Sequence, residues 1–183
     1  SSQPAINSSG VLTFTPTSNA NGSATVTISL SDDGGTANSG DDTYANQTFT
    51  ITVTAVNDEP VADAQGVTAI EDVEKSITLT GSDGDPELSQ TLTYILTALP
   101  STGTLSESSS GSVINSVPYT LSDATIFFTT LLNDVDQQTF DFKVQDNGNI
   151  DAGIGDDNES SDATITIDIT PVNDEPVADA QGV

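Results

Sequence analysis

The chain of 183 residues contains no cysteine, methionine, tryptophan or histidine. Without thiolate or imidazole groups it cannot build a Cys/His nucleophile pair, a Ser-His-Asp triad or a zinc or copper site of the usual kinds. The absence of cysteine also means that the fold does not rest on disulfides, and it is uninformative about the redox compartment. Paired carboxylates remain available as an acid and a base, so residue type alone does not exclude sugar hydrolysis.

Positive charge is almost absent as well. Only Lys75 and Lys143 oppose 28 acidic residues, which gives a formal net charge of −26. Such a field repels nucleic acid and anionic lipid surfaces, so neither is expected as a partner. This composition is typical of a protein that binds divalent cations. The other interpretation is that the charge only keeps a secreted protein in solution.

Long apolar runs are also missing. No stretch approaches the roughly 20 apolar residues of a membrane span. The sequence also lacks a charged start followed by an apolar stretch, so we expect it to include no signal peptide. We therefore expect no membrane insertion.

Short runs of alternating threonine, valine and isoleucine are abundant, and this period is typical of half-buried strands. Glycine, aspartate, asparagine, serine and proline, the turn formers, separate them. No segment has a convincing helical period. Seven or so strands in about 110 residues predict an all-β fold, an antiparallel β-sandwich of immunoglobulin-like architecture. The clearest predicted strands are residues 76–80, 91–96, 139–144 and 163–170.

The sequence VNDEPVADAQGV occurs at residues 56–67 and again, unchanged, at residues 172–183. Recurrence at a fixed spacing marks a chain built from repeated units. The apolar alternation of residues 26–30 also matches that of residues 140–144, and residues 49–53 match residues 165–169. We predict four segments: the C-terminal half of one β-sandwich repeat (1–56), an acidic linker (57–60), a complete repeat (61–172), and a linker with the start of a third repeat (173–183).

The predicted half-repeat has one apolar face and no sheet of its own to oppose it. An open face of this kind recruits partners. We therefore expect a second polypeptide to cover it, either the missing half or a copy of the same protein. The face comprises Leu12, Phe14, Val26, Ile28, Leu30, Phe49, Ile51 and Val53.

Sandwich geometry predicts which loops meet the linker. Because strands alternate in direction, the loops after the second and sixth strands lie where the first strand enters. These loops are residues 82–90, which include the sequence DGDPE, and residues 145–162. Carboxylate and amide oxygens in this number suit Ca²⁺, which takes six to eight oxygen ligands. The predicted ligands are Asn57, Asp58, Asp83, Asp85 and Asp146.

The opposite end of the repeat has a similar arrangement. The loop before the second strand and the loop before the sixth strand should both face the outgoing linker. We predict a second Ca²⁺ site there, completed by a following repeat. The alternative interpretation is that these residues are solvated turn acids. The predicted ligands are Glu71, Asp72, Asp134, Asp136, Asn173 and Asp174.

This layout resembles that of cadherin repeats: an N-D-x-P linker, a D-x-D loop after the second strand, an acidic pair before that strand and a D-x-D loop before the sixth. It is more closely similar to the cadherin-like or immunoglobulin-like tandem repeats of very large bacterial surface adhesins. The resemblance covers essentially the whole chain, although each motif is short. It implies an extracellular location at a bacterial cell surface, with calcium and neighbouring repeats as partners.

The resemblance also implies roles for individual residues. Glu71 takes the place of the glutamate at the base of the domain, and Asp134 with Asp136 that of the acidic pair. Asn57 and Asp58 take the linker role, with Asp83 and Asp85 as the next domain's pair. Cadherin linkers usually carry an aspartate two residues before the asparagine, where this chain has Ala55 and Pro171. This departure implies fewer or weaker ions at each junction.

The connection 145–162 and its counterpart, residues 31–47, are long and acidic. Long connections are more often functional or mobile than idle. Two interpretations stay open for residues 145–162: a loop folded around its own Ca²⁺, or a flexible acidic flap.

The sequence leaves three functions to weigh. The leading hypothesis is a calcium-rigidified spacer repeat that supports cell adhesion, because the recognisable chemistry lies at junctions. The alternative is a module that binds sugar or a homophilic partner, but a sugar platform needs exposed aromatic rings and the chain has no tryptophan and three tyrosines. An enzyme is not expected, because two lysines in the whole chain and no aromatic cleft leave little to position a substrate.

Overall fold

The computed structural model describes residues 2–86, 89–148 and 158–176. In these ranges the chain is all-β apart from a single 3-10 turn at Ala37–Ser39. The chain divides into two compact units, Ser1–Val56 and Asn57–Val183. The strands of the first unit are β1 (Ser2–Ile6), β2 (Leu12–Thr15), β3 (Gly22–Ser31) and β4 (Thr43–Val53).

The second unit is an antiparallel-rich β-sandwich. One sheet has the strand order β11-β9-β13-β14-β6, the other has the order β10-β12-β7, and β5 pairs with β8. All pairings are antiparallel except β14 with β6. Its strands are β5 (Val61–Ala62), β6 (Gln65–Ile70), β7 (Lys75–Thr78), β8 (Gly81–Ser82), β9 (Thr93–Ala98), β10 (Thr104–Ser106), β11 (Tyr119–Thr120), β12 (Thr125–Thr129), β13 (Gln138–Gln145) and β14 (Ala163–Thr170).

The core of the second unit is built by the predicted alternation. Along β13 and β14, alternate apolar side chains are fully buried, as the two-residue period of a strand requires. Both sheets contribute, which confirms the predicted sandwich. Burying each of these large side chains stabilises the fold by about 1.5–3 kcal/mol. The largest are Ile77, Leu79, Leu96, Leu105, Ile126, Phe128, Phe140, Phe142, Ile165 and Ile167.

The first unit consists of two separate hairpins, β1–β2 and β3–β4. None of its described side chains from Pro4 to Val56 is buried. The connection between β3 and β4 comprises residues 32–42, shorter than the predicted 31–47, because β4 already begins at Thr43. The Asp41 carboxylate accepts the N–H of Thr43 at 3.1 Å, which starts the strand earlier than the hydrophobic pattern indicates.

The two units close the corresponding connection in the same way. In the first, the N–H of Asp32 donates to the carbonyl of Asp42 at 3.0 Å, and in the second the N–H of Asp146 donates to the carbonyl of Asn158 at 3.0 Å. The predicted loop 145–162 does run between β13 and β14. Its central acids at 149–157, including Asp151, lie outside the described residues, so both interpretations of this loop stay open.

Candidate cation site at the incoming segment

Residues 57–60, here called the incoming segment, lead into β5 and lie against the loops that follow β8 and β13. Asn57 connects them, and its side chain is buried, with 8 % exposed. Its Nδ2 donates to Oδ2 of Asp146 at 3.3 Å, and its Oδ1 accepts from Nε2 of Gln90 at 2.6 Å. The linker therefore contacts both loops within the second unit, as predicted.

Gln90 joins the acidic loop to this arrangement. The same Nε2 also donates to Oδ2 of Asp85, and the backbone N–H of Gln90 donates to Oδ2 of Asp83 at 2.7 Å. One glutamine thus holds both aspartates of the D-G-D sequence beside Asn57. The sequence did not indicate Gln90 as a site residue, because a glutamine at the end of a loop carries no charge or spacing signal.

Two glycines allow the loops to approach the incoming segment this closely. Gly84 has a φ of +77°, and a Cβ at that position would lie 2.2 Å from the carbonyl oxygen of Glu59. A Cβ at Gly148 would lie 1.5 Å from Oδ1 of Asn57. At Gly84, where the φ is positive and the neighbouring atom is backbone, only glycine fits, whereas a side chain at Gly148 would displace the side chain of Asn57.

The electrostatics of the site centre on Asp85, which is 8 % exposed. Its Oδ1 is buried and has no hydrogen-bond partner among the described residues. Burial raises the pKa of the Asp85 carboxyl above its ordinary value, the backbone of Asp58 opposes that shift, and the negative charges of Asp58 and Asp83 increase it. A second negative group, Asp146, is 5 % exposed and accepts the N–H of Gly148 at 2.9 Å.

The residues fit a hard cation by their chemistry. They offer carboxylate and amide oxygens and no nitrogen or sulfur ligand, which is the donor set of Ca²⁺. The Oδ1 of Asp85 is buried and accepts no hydrogen bond from the described residues, so its lone pairs are available to a cation. Nevertheless, the described residues contain no group of three or more acidic side chains placed closely enough to hold a metal. The physical reason is visible in the hydrogen bonds: the side-chain amides of Asn57 and Gln90 lie between the carboxylates.

The remaining predicted ligand at this end, Asp58, is half-buried, and its carbonyl accepts from Nδ2 of Asn57 at 3.3 Å. All five predicted residues therefore lie in one hydrogen-bonded or electrostatically coupled group. Glu87, which belongs to the same acidic loop, lies outside the described residues.

At the opposite end, Glu71 behaves as a residue that fixes the outgoing chain. It is 3 % exposed, and its Oε2 accepts the N–H of Val172 at 3.0 Å. Next to it, Asp72 has a φ of +59°, and its N–H donates to Oγ1 of Thr130 at 3.2 Å. This end of the second unit is therefore fastened to the outgoing residues through a buried carboxylate.

The predicted acidic pair at that end has other partners. Asp134 accepts from Oγ1 of Thr102, and its Oδ1 accepts the N–H of Asp136 at 3.1 Å. Among the described residues no hydrogen bond joins either aspartate to Glu71 or to Asn173. The structure thus places these acids in turns of one end without bringing them together.

The two linker copies share a local conformation. Nδ2 of Asn173 donates to the carbonyl of Asp174 at 3.2 Å, as Nδ2 of Asn57 does to the carbonyl of Asp58 at 3.3 Å. Asn57 is buried, however, whereas Asn173 is exposed. The residues that would begin a third repeat, 177–183, lie outside the described part of the chain.

Comparison with known proteins concerns the fold. No protein-family model and no curated protein matches the chain. Among solved structures, the chain is similar to mouse protocadherin-24 EC1-3, with a TM-score of 0.55 and 15 % identity over 91 % of this chain and 53 % of that one. The chain thus spans about half the length of that structure. This likeness shows a cadherin-like β fold.

A second solved structure overlaps less well. It is a nucleoside hydrolase-related hypothetical protein from Saccharophagus degradans that is associated with carbohydrate metabolism, with a TM-score of 0.32 and 18 % identity over 63 % of this chain and 26 % of that chain. An overlap this low carries no argument. Within residues 2–86, 89–148 and 158–176, no helix is long and apolar enough to cross a membrane.

Proposed function

We propose that the chain is a calcium-rigidified spacer of a large bacterial adhesin, secreted or held at the cell surface, and that it supports adhesion without being an enzyme. The observation that carries the calcium part is the buried Oδ1 of Asp85, which has no hydrogen-bond partner among the described residues where the incoming segment meets two acidic loops. The cadherin-like β fold supports a role as an adhesion module. The repeated VNDEP sequence supports a role as one of several units in a row.

Calcium is the cation that this donor set favours. Asp83, Asp85 and Asp146 would supply carboxylate oxygens, and Asn57 and Asp58 would add further oxygens from the incoming segment. The net charge of −26 draws divalent cations toward the protein as a whole. When bound, the ion supplies positive charge that lets the buried Asp85 carboxylate stay ionised, although among the described residues only its Oδ2 accepts a hydrogen bond.

The spacer role follows from which elements the site joins. Asn57 and Asp58 belong to the incoming segment, whereas Asp85 and Asp146 follow β8 and β13. A ligand bound to all of them stabilises only the arrangement in which the segment lies against both loops. The ion therefore stiffens the entry to the repeat, and a row of such repeats becomes an extended rod.

The test is thermal unfolding and small-angle X-ray scattering of the chain in calcium and in chelator. We expect chelation to lower the melting temperature and to make the scattering profile that of a more flexible particle. In the double variant Asp83→Asn/Asp85→Asn much of this response disappears, and in the matched control Asp41→Asn/Asp42→Asn it persists. An unchanged melting temperature and scattering profile in chelator would contradict the proposal.

A further inference from the structure

The β3–β4 hairpin of the first unit has the same register as the β13–β14 hairpin of the second. Val26 lies opposite Phe49, and Phe140 lies opposite Ile165. Val26 precedes Phe140 by 114 positions and Phe49 precedes Ile165 by 116, the spacings at which the two segments align in sequence. The first unit therefore contains the same pair of strands as the centre of the sandwich.

The corresponding side chains differ strongly in burial. Phe49 is 36 % exposed and its counterpart Ile165 is 0 % exposed, while Leu30 is 68 % exposed and its counterpart Val144 is 0 % exposed. A hairpin of the same register thus has a buried face in the second unit and an exposed apolar face in the first. The second unit shows what covers such a face.

In the second unit the hairpin is flanked on both edges. β9 pairs antiparallel with β13, and β6 pairs parallel with β14. Among the described residues of the first unit, β3 and β4 pair only with each other. Two free strand edges beside an apolar face are a template for added strands.

The first hairpin of the first unit also pairs differently from its counterpart in the second unit. Residues 2–6, which form β1, correspond at the spacing of 114 to residues 116–120, and Ser2-Gln3-Pro4 matches Ser116-Val117-Pro118. In the second unit the strand in this stretch, β11, pairs with β9. In the first unit β1 pairs instead with its neighbour β2. Thus β1, whose counterpart pairs with β9, pairs in the first unit with the adjacent strand β2.

We propose that the open face of the β3–β4 hairpin is an acceptor for the N-terminal half of a homologous repeat. In this complex a strand like β9 lies antiparallel to β3, a strand like β6 lies parallel to β4, and their apolar side chains cover Leu30 and Phe49. A second copy of this chain is the poorer occupant, because its own β6 and β9 are already paired within its second unit. The proposal is independent of calcium binding.

The test adds an N-terminal half-repeat to this chain. A copy of residues 60–114 is placed directly before Ser1, which preserves the spacing of 114, and amide hydrogen exchange is measured in β3 and β4. We expect exchange in both strands to slow by about tenfold or more relative to the natural chain. Exchange in β13 and β14 is the internal reference and stays unchanged.

The control is the same extended protein with Leu96→Asp in the added copy only, since Leu96 is 0 % exposed in the second unit. This substitution should abolish the added protection. Equal protection with the altered copy, or none with the unaltered one, would overturn the proposal. So would sedimentation of the natural chain as a stable dimer with protected β3 and β4, because a second copy would then be the occupant.

Discussion

Asn57 and Asp146 are 89 residues apart in sequence, and Nδ2 of the first donates to Oδ2 of the second at 3.3 Å. Both side chains are buried. This contact couples the incoming segment to the end of β13, so whatever neutralises the carboxylate also affects where the segment lies.

The first prediction concerns Asp85→Asn, whose effect should change sign with calcium. In chelator the substitution removes a buried charge with an unpartnered oxygen, so the free energy of unfolding should rise by about 1 kcal/mol. In calcium at ten times the dissociation constant the variant also loses a binding contribution of up to about 1.4 kcal/mol, so its net effect should be a destabilisation of up to about 0.4 kcal/mol. Chemical denaturation in both conditions measures this.

The matched control is Asp168→Asn, an exposed residue in the middle of β14 whose carboxylate accepts from Gln137 at 2.6 Å. Its effect should be the same with and without calcium. Equal effects of Asp85→Asn in the two conditions would show that the carboxylate does not serve as a ligand.

The second prediction concerns pH in the presence of chelator. The pKa of Asp85 is raised by burial, so between its unfolded and folded values the folded state binds more protons than the unfolded state. The contribution of Asp85 to the free energy of unfolding therefore falls as pH rises through that window above 3.8. Asp85→Asn should remove this part of the pH dependence. Identical slopes of the free energy of unfolding against pH in the unsubstituted chain and in Asp85→Asn would refute this prediction.

The third prediction concerns the two glycines of the site. Gly84→Ala introduces a side chain at positive φ against the carbonyl of Glu59, and Gly148→Ala places one on Oδ1 of Asn57. Each should destabilise the second unit by about 1–3 kcal/mol and weaken calcium binding. Gly66→Ala is the control, because its Cβ would meet nothing within 4 Å. Calcium affinity retained in both site variants would argue against this geometry.

The fourth prediction concerns the opposite end. Glu71→Ala removes the acceptor of the Val172 N–H and should cost about 1–3 kcal/mol, whereas Glu71→Gln keeps an acceptor and should cost less. Neither substitution should alter the stabilisation by calcium that depends on Asp85. Denaturation of both variants, with and without calcium, separates this fastening role from the incoming site. A lost calcium response would mean that the two ends are coupled.

The sequence was sufficient for the elements that follow strict alternation. Phe140, Phe142 and Val144 are buried as their two-residue spacing predicts, and Ala163–Thr170 is a strand with the predicted bounds. Sandwich topology was also sufficient to bring Asn57 to Asp146, because it depends only on strand direction.

What the sequence could not provide depends on side-chain packing. Gln90 is central to the site through three hydrogen bonds, but its neutral amide gives no pattern to detect. The acids Asp134 and Asp136 form a turn of their own, and spacing alone does not distinguish a turn acid from a ligand. The earlier start of β4 likewise depends on one local contact, from Thr43 to Asp41.

Calorimetric titration of calcium into the chain tests the central claim most directly. We expect saturable binding with a dissociation constant of roughly 10⁻⁴–10⁻³ M, as in extracellular modules. In the Asp83→Asn/Asp85→Asn variant this binding should be lost or weakened by at least about tenfold. No saturable heat with the natural chain, or the same isotherm with the double variant, would contradict a calcium site at the incoming segment.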